Sequence, residues 1–137
     1  MSISRRKLLL VGCGAALGCG TSVPVPALIS AGNISGLPQG RVRAVSGFPV
    51  AIGRDAGGVY ALSLLCTHAG CDIAQDGSVG AGSIECFCHG SIFSGTGEVL
   101  RGPATQPLAH FVVTSDAAGA LTIHTDETTA ASTRLPA

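Results

Sequence analysis

Two short segments, each containing cysteine and histidine at close spacing, constrain what this chain can fold into. They are Cys66-Thr67-His68-Ala69-Gly70-Cys71 and Cys86-Phe87-Cys88-His89-Gly90-Ser91. Each segment offers one cysteine and one histidine at ligand spacing, Cys66 with His68 and Cys86 with His89, and each adds a further cysteine. Two thiolates and two imidazoles are a donor set for a metal ion or an iron–sulfur cluster. We therefore expect both segments to be loops of one metal-binding site.

Zinc and an iron–sulfur cluster both fit this donor set. A structural zinc site uses the same four ligands and tolerates varied spacing. Three features favour iron: each loop pairs unlike donors, both loops are rich in glycine, and Cys71 and Cys88 sit at matching places, available to each other once the ligands are used. An iron–sulfur cluster is the preferred interpretation, and a structural zinc module is the alternative.

The composition favours a small all-β domain. The chain has 137 residues, with 20 glycines, 7 prolines, only 4% aromatic residues and many short clusters of Val, Ile, Leu and Thr. Such a chain is one domain with many turns. The formal net charge is zero, but Arg5, Arg6 and Lys7 account for three of the 8 basic residues, and the remaining five face 8 acidic ones. No basic surface for nucleic acid is left.

The N-terminal segment is typical of an export signal. Ser4-Arg5-Arg6-Lys7-Leu8-Leu9 leads into an apolar run from Leu8 to Gly20 and resembles a twin-arginine signal, with Leu8 where that family usually has Phe. We expect residues 1–30 to be a twin-arginine-type signal or a short membrane anchor, and residues 31–40 to be a linker. The chain would be exported to the periplasmic side of a bacterial inner membrane, either soluble or membrane-anchored.

The anchor and a lipid attachment remain alternatives to cleavage. No charged residue occurs from Leu8 to Gly40, but the apolar run is short of the ~20 residues that span a bilayer, and Pro24 and Pro26 oppose a spanning helix. Cys13 and Cys19 each follow a sequence that loosely resembles a lipoprotein cleavage box. Whether residues 1–30 are cleaved, retained or lipidated stays open.

Short β-type runs separated by turn residues predict the strands of the domain. They are residues 42–45, 48–53, 59–65, 98–100, 108–114 and 120–125. Asp55-Ala56-Gly57-Gly58 and Asp116-Ala117-Ala118-Gly119 are typical of hairpin turns. The predicted domain spans residues 41–126, with residues 127–137 as a frayed tail. His110 and His124 are expected to be ordinary strand residues.

Residues 42–125 resemble the Rieske [2Fe-2S] family. The two cysteine–histidine segments match that family's two cluster-binding boxes, and Gly102, Pro103 and Ala104 match its Pro loop. The resemblance implies one [2Fe-2S] cluster in an all-β fold, a Rieske-type antiparallel β-sandwich with a small cluster-binding subdomain formed by two loops plus the Pro loop. By the same resemblance Cys66 and Cys86 bind the inner iron, and His68 and His89 bind the outer iron.

The resemblance also implies a disulfide and two residues that tune the cluster. Cys71 and Cys88 would form the disulfide that marks the high-potential, quinol-oxidising branch and that Rieske ferredoxins and ring-hydroxylating oxygenases generally lack. The hydroxyl of Ser91 would bond a bridging sulfide of the cluster. Phe93 occupies a position where quinol-oxidising members commonly have Tyr, so we expect a lower potential than in members that have both donors.

These features together predict electron transfer by a redox subunit of an exported or membrane-bound oxidoreductase complex. The complex would be of the quinol-cytochrome c reductase type or of the arsenite oxidase type, and the alternative is a free-standing periplasmic or lipid-tethered carrier. Its partners would be a cytochrome b, a cytochrome c or a molybdenum enzyme subunit, with quinol as a candidate at the His68/His89 face. No catalytic residue and no substrate pocket of its own are expected.

Overall fold

Two antiparallel sheets make up the fold in the computed structural model, which describes residues 24–137. The strands are β1 (Leu28–Asn33), β2 (Arg41–Ala44), β3 (Val50–Asp55), β4 (Gly58–Ser63), β5 (Gly77–Val79), β6 (Ser83–Cys86), β7 (Ile92–Ser94), β8 (Val99–Arg101), β9 (His110–Ser115) and β10 (Ala120–Thr129). A 3-10 turn covers Ile34–Gly36, and one short helix, α1, covers Ile73–Asp76. The prediction of an all-β fold built from antiparallel sheets is confirmed.

The larger sheet has the strand order β1-β10-β9-β4-β3-β2, and the smaller one has the order β5-β6-β7-β8. The hairpin of β3 and β4 is paired without a break from Val50 opposite Ser63 to Asp55 opposite Gly58. Its turn is closed by the carboxylate of Asp55, which accepts a 2.9 Å hydrogen bond from the N–H of Gly57, as the sequence predicts for an aspartate at this place. Every residue of β4 is buried, and the strand ends three residues before Cys66.

Alternation along β4 divides the core into two parts. Successive side chains of a strand point to opposite faces, so Tyr60, Leu62 and Leu64 join one cluster and Val59 and Ala61 join the other. The first cluster also contains Ile73, Ile84, Phe93 and Leu108 together with Cys66 and Cys86. Burying each large apolar side chain contributes about 1.5 to 3 kcal/mol. The two metal-binding loops therefore rest on a fully packed layer.

The linker predicted for residues 31–40 is wrong in its first half. Strand β1 occupies Leu28–Asn33 and pairs with β10, with Leu28 opposite His124. Ile29 and Ala31 are 2% and 3% exposed, so a short alternating pattern was hidden within a Pro, Gly, Ser and Ala-rich stretch. The guanidinium of Arg43 also donates a 2.9 Å hydrogen bond to the carbonyl of Ala31.

The frayed tail predicted for residues 127–137 is also wrong. Strand β10 continues to Thr129, and the N–H and C=O of Leu135 both pair with Val59 at 2.8 Å. Strand β9 pairs with β4 only at Ala61 and Leu62, which leaves the backbone of Val59 free for another partner. The C-terminal residues occupy that place, because unpaired backbone groups in a sheet are costly to bury.

The remaining differences concern the cluster-binding subdomain and the N-terminus. The sequence did not predict α1 or strands β5, β6 and β7, whose apolar runs are very short. Among residues 24–137, no helix has the length and apolar composition needed to cross a bilayer. Residues 1–23 of the predicted signal or anchor, with the twin arginines, Cys13 and Cys19, lie outside the described residues. Its predicted end at residue 30 is too late, because Leu28–Ser30 already pair with β10 as part of β1.

Candidate metal centre

The two cysteine–histidine segments form loops with the same backbone hydrogen bonds. In the first loop the N–H of Cys66 donates to the carbonyl of Cys71, and the N–H of Gly70 donates to the carbonyl of Cys66. In the second loop Cys86 donates to Ser91, and Gly90 donates to Cys86, again within 3.0 Å. Gly70 and Gly90 have φ values of 76° and 84°, a left-handed conformation that favours glycine. The prediction of two equivalent loops is supported by this geometry.

The shared hydrogen bonds show which residues of the two loops correspond, and this correspondence corrects one prediction made from the sequence. Superposing the loops on their hydrogen bonds places Cys66 on Cys86, Cys71 on Ser91 and His68 on Cys88. Cys71 and Cys88 therefore do not sit at matching places, contrary to our expectation. The disulfide between them is nonetheless present, with Cα atoms 6.7 Å apart, as the family resemblance implied.

The four predicted ligands form a buried pair of thiols and an exposed pair of imidazoles. Cys66 and Cys86 are free cysteines, 3% and 1% exposed, and the thiol of Cys86 is close enough to Cys66 for its pKa to be affected. Burial raises the pKa of the Cys86 thiol; the N–H of Cys88 opposes this effect, whereas Cys66 adds to it. His68 and His89 lie at the surface, with ring centroids 4.7 Å apart at an angle of 74°.

This arrangement fits a dinuclear cluster and not a single zinc ion. Ligands of one tetrahedral zinc lie about 2.0 to 2.3 Å from the metal, so all four donor atoms would be close neighbours. Within residues 24–137, however, no three of the four donor atoms lie within 4.8 Å of one another. One pair of neighbouring thiols and one pair of neighbouring imidazole rings suit two metal atoms, each with its own pair of ligands.

Ser91 joins the second loop to the predicted Pro loop. Ser91 is 1% exposed, and its hydroxyl accepts a 3.0 Å hydrogen bond from the N–H of Ala104. The hydroxyl of Thr67 donates a 2.7 Å bond to the carbonyl of Gln106, so the first loop is tied to the same segment. Among the described residues no acceptor is found for the Ser91 proton, which leaves a buried donor free for an acceptor on the cluster.

Phe93 supplies hydrocarbon and no hydrogen bond. It is 0% exposed and belongs to the core cluster that contains Cys66 and Cys86. Its backbone pairs with Ile84 on β6 and Val99 on β8. A benzyl ring at this position packs under the loops and cannot donate to a sulfur atom.

Sequence reasoning missed the support that α1 gives to both loops. Asp72 caps this helix, and its carboxylate accepts a 2.9 Å hydrogen bond from Ala74. The N–H of Ile73 donates to Leu64, ahead of the first loop, and the N–H of Phe87 donates to Asp76 from the second loop, both at 2.8 Å. An aspartate before an apolar residue is a helix-start signal, so Asp72 could have been found.

His110 and His124 lie outside the metal centre, in agreement with our expectation that they are strand residues. His110 begins β9 and His124 lies within β10. His124 does share a surface group of donor atoms with Asp126 and Glu127, but both carboxylates are exposed.

Comparison with known proteins identifies the same family as the sequence resemblance. A model of the Rieske [2Fe-2S] domain family matches residues 28–112. The cytochrome b6-f complex iron-sulfur subunit of Synechococcus sp. (strain CC9605) is 38% identical over 88 residues, which are 60% of this chain and 48% of that protein. The subunit of the same name from Parasynechococcus marenigrum (strain WH8102) is 38% identical over 89 residues, 61% of this chain and 49% of that protein. The match thus spans about half the length of these curated relatives.

Solved structures agree on the fold. A chain in the complex of reduced oxygenase and oxidized ferredoxin in carbazole 1,9a-dioxygenase superposes with a TM-score of 0.54 and 27% identity, covering 76% of this chain and 97% of that one. A cyanobacterial plasma membrane Rieske protein from Synechocystis PCC 6803 superposes with a TM-score of 0.51 and 24% identity, covering 69% of this chain and 97% of that one.

Proposed function

The chain belongs to the Rieske [2Fe-2S] family, and from this premise we propose that it is the electron-transfer subunit of an exported or membrane-bound complex of the cytochrome b6-f or bc type. The family holds one [2Fe-2S] cluster. The observation that carries the proposal is the pair of buried thiols, Cys66 and Cys86, next to the exposed imidazoles of His68 and His89. Electron transfer needs a buried redox centre with one edge at the surface, and this arrangement provides both.

Cys66 and Cys86 would hold the inner iron, and His68 and His89 the outer iron. When bound, the cluster supplies a one-electron redox centre whose neutral imidazole ligands raise its potential to about −150 to +300 mV. The two loops keep the thiolates away from water, because both cysteines are at most 3% exposed. The Cys71–Cys88 disulfide ties one loop to the other.

The exposed residues beside the two histidines within their loops are uncharged. They are Thr67, Ala69, Gly70, Phe87 and Cys88. Phe87 is 65% exposed and gives this surface an apolar character. We propose that the redox partner contacts this surface, because a neutral apolar face loses little solvation when it docks.

The relatives favour a cytochrome as the partner. Both curated relatives described above are named as subunits of the cytochrome b6-f complex, and the disulfide of this chain agrees with the quinol-oxidising branch. A cytochrome b or cytochrome c would then receive or supply the electron, with quinol bound at the His68/His89 face. A twin-arginine-type segment ahead of β1, which begins at Leu28, would deliver the domain to the periplasmic side of the membrane, already folded around its cluster.

A free-standing electron carrier is the second candidate. It is favoured by the superposition on a chain from the complex of an oxygenase with its ferredoxin, at a TM-score of 0.54. A small domain without a fixed complex would carry electrons between proteins by diffusion. Purification from native membranes separates the two candidates: co-elution with a cytochrome b supports the subunit, and isolation of the chain alone supports the free carrier.

The ligand set is tested by electron paramagnetic resonance of the dithionite-reduced protein. The full chain is expected to show the mixed-valence signal of a [2Fe-2S] cluster and to contain iron and acid-labile sulfide in equal amounts. His68→Ala and His89→Ala should each lose the signal, whereas His124→Ala, a surface histidine outside the site, should keep it. A colourless wild-type protein with bound zinc would overturn the proposal.

A further inference from the structure

Three cysteine sulfurs lie together at the edge of the metal centre. The Sγ atoms of Cys71, Cys86 and Cys88 are all within 4.8 Å of one another, although only Cys71 and Cys88 are bonded. Cys86 is a free thiol and one of the proposed ligands. A thiol beside a disulfide is the arrangement from which thiol–disulfide exchange proceeds once the thiol has lost its proton.

We propose that in the chain without its cluster Cys86 exchanges with the Cys71–Cys88 disulfide, and that ligation of Cys86 by iron is what keeps the native pairing unique. This inference rests on the proposed ligand set. The Cys86 thiolate attacks the Sγ of Cys71 and forms a new S–S bond. The Cys71–Cys88 bond breaks, its electron pair goes to Cys88, and Cys88 takes up from solvent the proton that Cys86 released. No external oxidant or reductant is needed.

Loop entropy does not oppose this exchange. The native disulfide joins cysteines 17 residues apart, and the exchanged bond would join residues roughly 15 apart, for which the chain-entropy model gives nearly the same stabilisation. Attack on Cys88 instead would bond two cysteines separated by one residue, which is the more strained product. The difference in free energy between the Cys71–Cys86 and Cys71–Cys88 disulfides therefore depends on how well each one packs, and not on loop entropy.

The exposure of the cysteines makes the exchange observable. In the native pairing the free thiols of Cys66 and Cys86 are 3% and 1% exposed, so both are shielded from a labelling reagent. After exchange Cys66 is still free, and Cys88 replaces Cys86 as the second free thiol; Cys88 is exposed. Labelling of Cys88 without denaturant therefore reports the exchanged pairing directly.

The experiment labels the full chain with iodoacetamide under native conditions and locates the label by peptide mass spectrometry. Cluster-free protein with its disulfide formed is compared with cluster-loaded protein at one fixed pH. We expect at least about tenfold more label on Cys88 in the cluster-free chain, together with a peptide linked through Cys71 and Cys86. Equal, low labelling in both forms would overturn the inference.

Two matched variants separate exchange from simple loosening of the loops. Cys66→Ser and Cys86→Ser both remove a proposed ligand, but only the second removes the attacking thiol. Cluster-free Cys66→Ser should label at Cys88 as the wild type does, whereas Cys86→Ser should stay unlabelled there. Labelling of Cys88 in Cys86→Ser would contradict the inference. Absence of the paramagnetic signal in the wild type would instead contradict the proposed function, and the comparison of the two cluster-free variants would still test the exchange.

Discussion

The hydroxyl of Ser91 accepts a hydrogen bond from the backbone N–H of Ala104 at 3.0 Å. Both residues are buried, at 1% and 3% exposure. This contact joins the second cysteine–histidine loop to the Pro loop and leaves the hydroxyl proton available to a sulfur atom of the cluster. A single side chain is therefore expected to affect both the packing and the redox potential of the site.

Ser91→Ala is expected to lower both the redox potential and the stability. A hydrogen bond to a sulfide stabilises the more negative, reduced state, and losing about 1 kcal/mol of that preference lowers a one-electron potential by on the order of 50 mV. Leaving the Ala104 N–H unpaired costs about 1 to 3 kcal/mol. Redox titration and thermal unfolding of the loaded protein measure the two effects. Ser78→Ala, at an exposed position of β5, is the control and should change neither, while an unchanged potential in Ser91→Ala would show that its hydroxyl does not bond the cluster.

Phe93→Tyr is expected to raise the redox potential. Phe93 lies in the same core cluster as Cys66 and Cys86, and the family resemblance implies that a phenolic hydroxyl at this position would bond a ligand sulfur and stabilise the reduced state. One added hydrogen bond of about 1 kcal/mol corresponds to a rise on the order of 50 mV. Phe111→Tyr makes the same chemical change in β9, outside that cluster, and should leave the potential where it is. A potential in Phe93→Tyr equal to or below that of the wild type would contradict this role.

The cluster-binding loops could be predicted from sequence because their function depends on local residue types. A cysteine and a histidine at fixed spacing, with Gly70 or Gly90 at a left-handed position, are visible without any long-range information. The expectation that the cysteine ligands lie inside and the histidine ligands lie outside came from the family resemblance, and the burial of the thiols and the exposure of the imidazoles agree with it. The elements that were missed depend on long-range pairing: β1 is a strand because β10 lies beside it.

The order of the C-terminal residues also depends on long-range strand pairing, which the sequence of the segment does not reveal. Nothing in a Thr and Ala-rich tail predicts order, and Leu135 is ordered because β9 leaves Val59 unpaired on β4. The matching positions assigned to Cys71 and Cys88 were wrong for a related reason. Counting residues between cysteines does not give the backbone register of a loop, which its hydrogen bonds determine.

Asp55→Asn is expected to loosen the C-terminal residues at neutral pH. Arg134 donates a 2.7 Å hydrogen bond to Asp55 and lies 4.6 Å from the centre of the Tyr60 ring. Burial acts to raise the pKa of Asp55, but the bond from Arg134 and the N–H of Gly57 outweigh it, so the pKa lies below its ordinary 3.8. Because the carboxylate is about a third exposed, the ion pair contributes at most ~1 kcal/mol.

The pH dependence of this effect has a defined sign. Because the pKa of Asp55 is lower in the folded than in the unfolded chain, its carboxylate adds stability at pH values above the unfolded pKa of 3.8. This stability is lost as the pH falls through the folded pKa. The variant should therefore be cut faster by protease near residues 130–137 at neutral pH, and its deficit in melting temperature should shrink below pH 3.8. Glu127→Gln, an exposed carboxylate on β10, serves as the control. A deficit in Asp55→Asn that stays constant across this range would exclude the ion pair as its cause.

His110→Gln is expected to lose less stability than the wild type when the pH is lowered from about 7 to about 5. The Nε2 of His110 lies 2.9 Å from the carbonyl of Thr96 and donates to it, since a carbonyl only accepts. Among the described residues, Nδ1 is the buried side-chain polar atom without a partner. Burial lowers the pKa of His110, the bond to Thr96 opposes this, and the charge of Arg134 lowers it further.

A depressed histidine pKa makes stability fall as the pH falls, because the unfolded chain binds a proton that the folded chain refuses. The stabilisation from the neutral imidazole is complete above the ordinary value of 6.5, and it decreases toward the folded pKa by up to about 1.4 kcal/mol per pH unit. Glutamine can donate the same bond to Thr96 without titrating, so melting temperatures of the loaded variant at about pH 7 and about pH 5 should differ less than those of the wild type. His124→Gln, a histidine of β10, should retain the wild-type difference. If His110→Gln and the wild type lose equal stability over this interval, the buried imidazole is not the group that titrates.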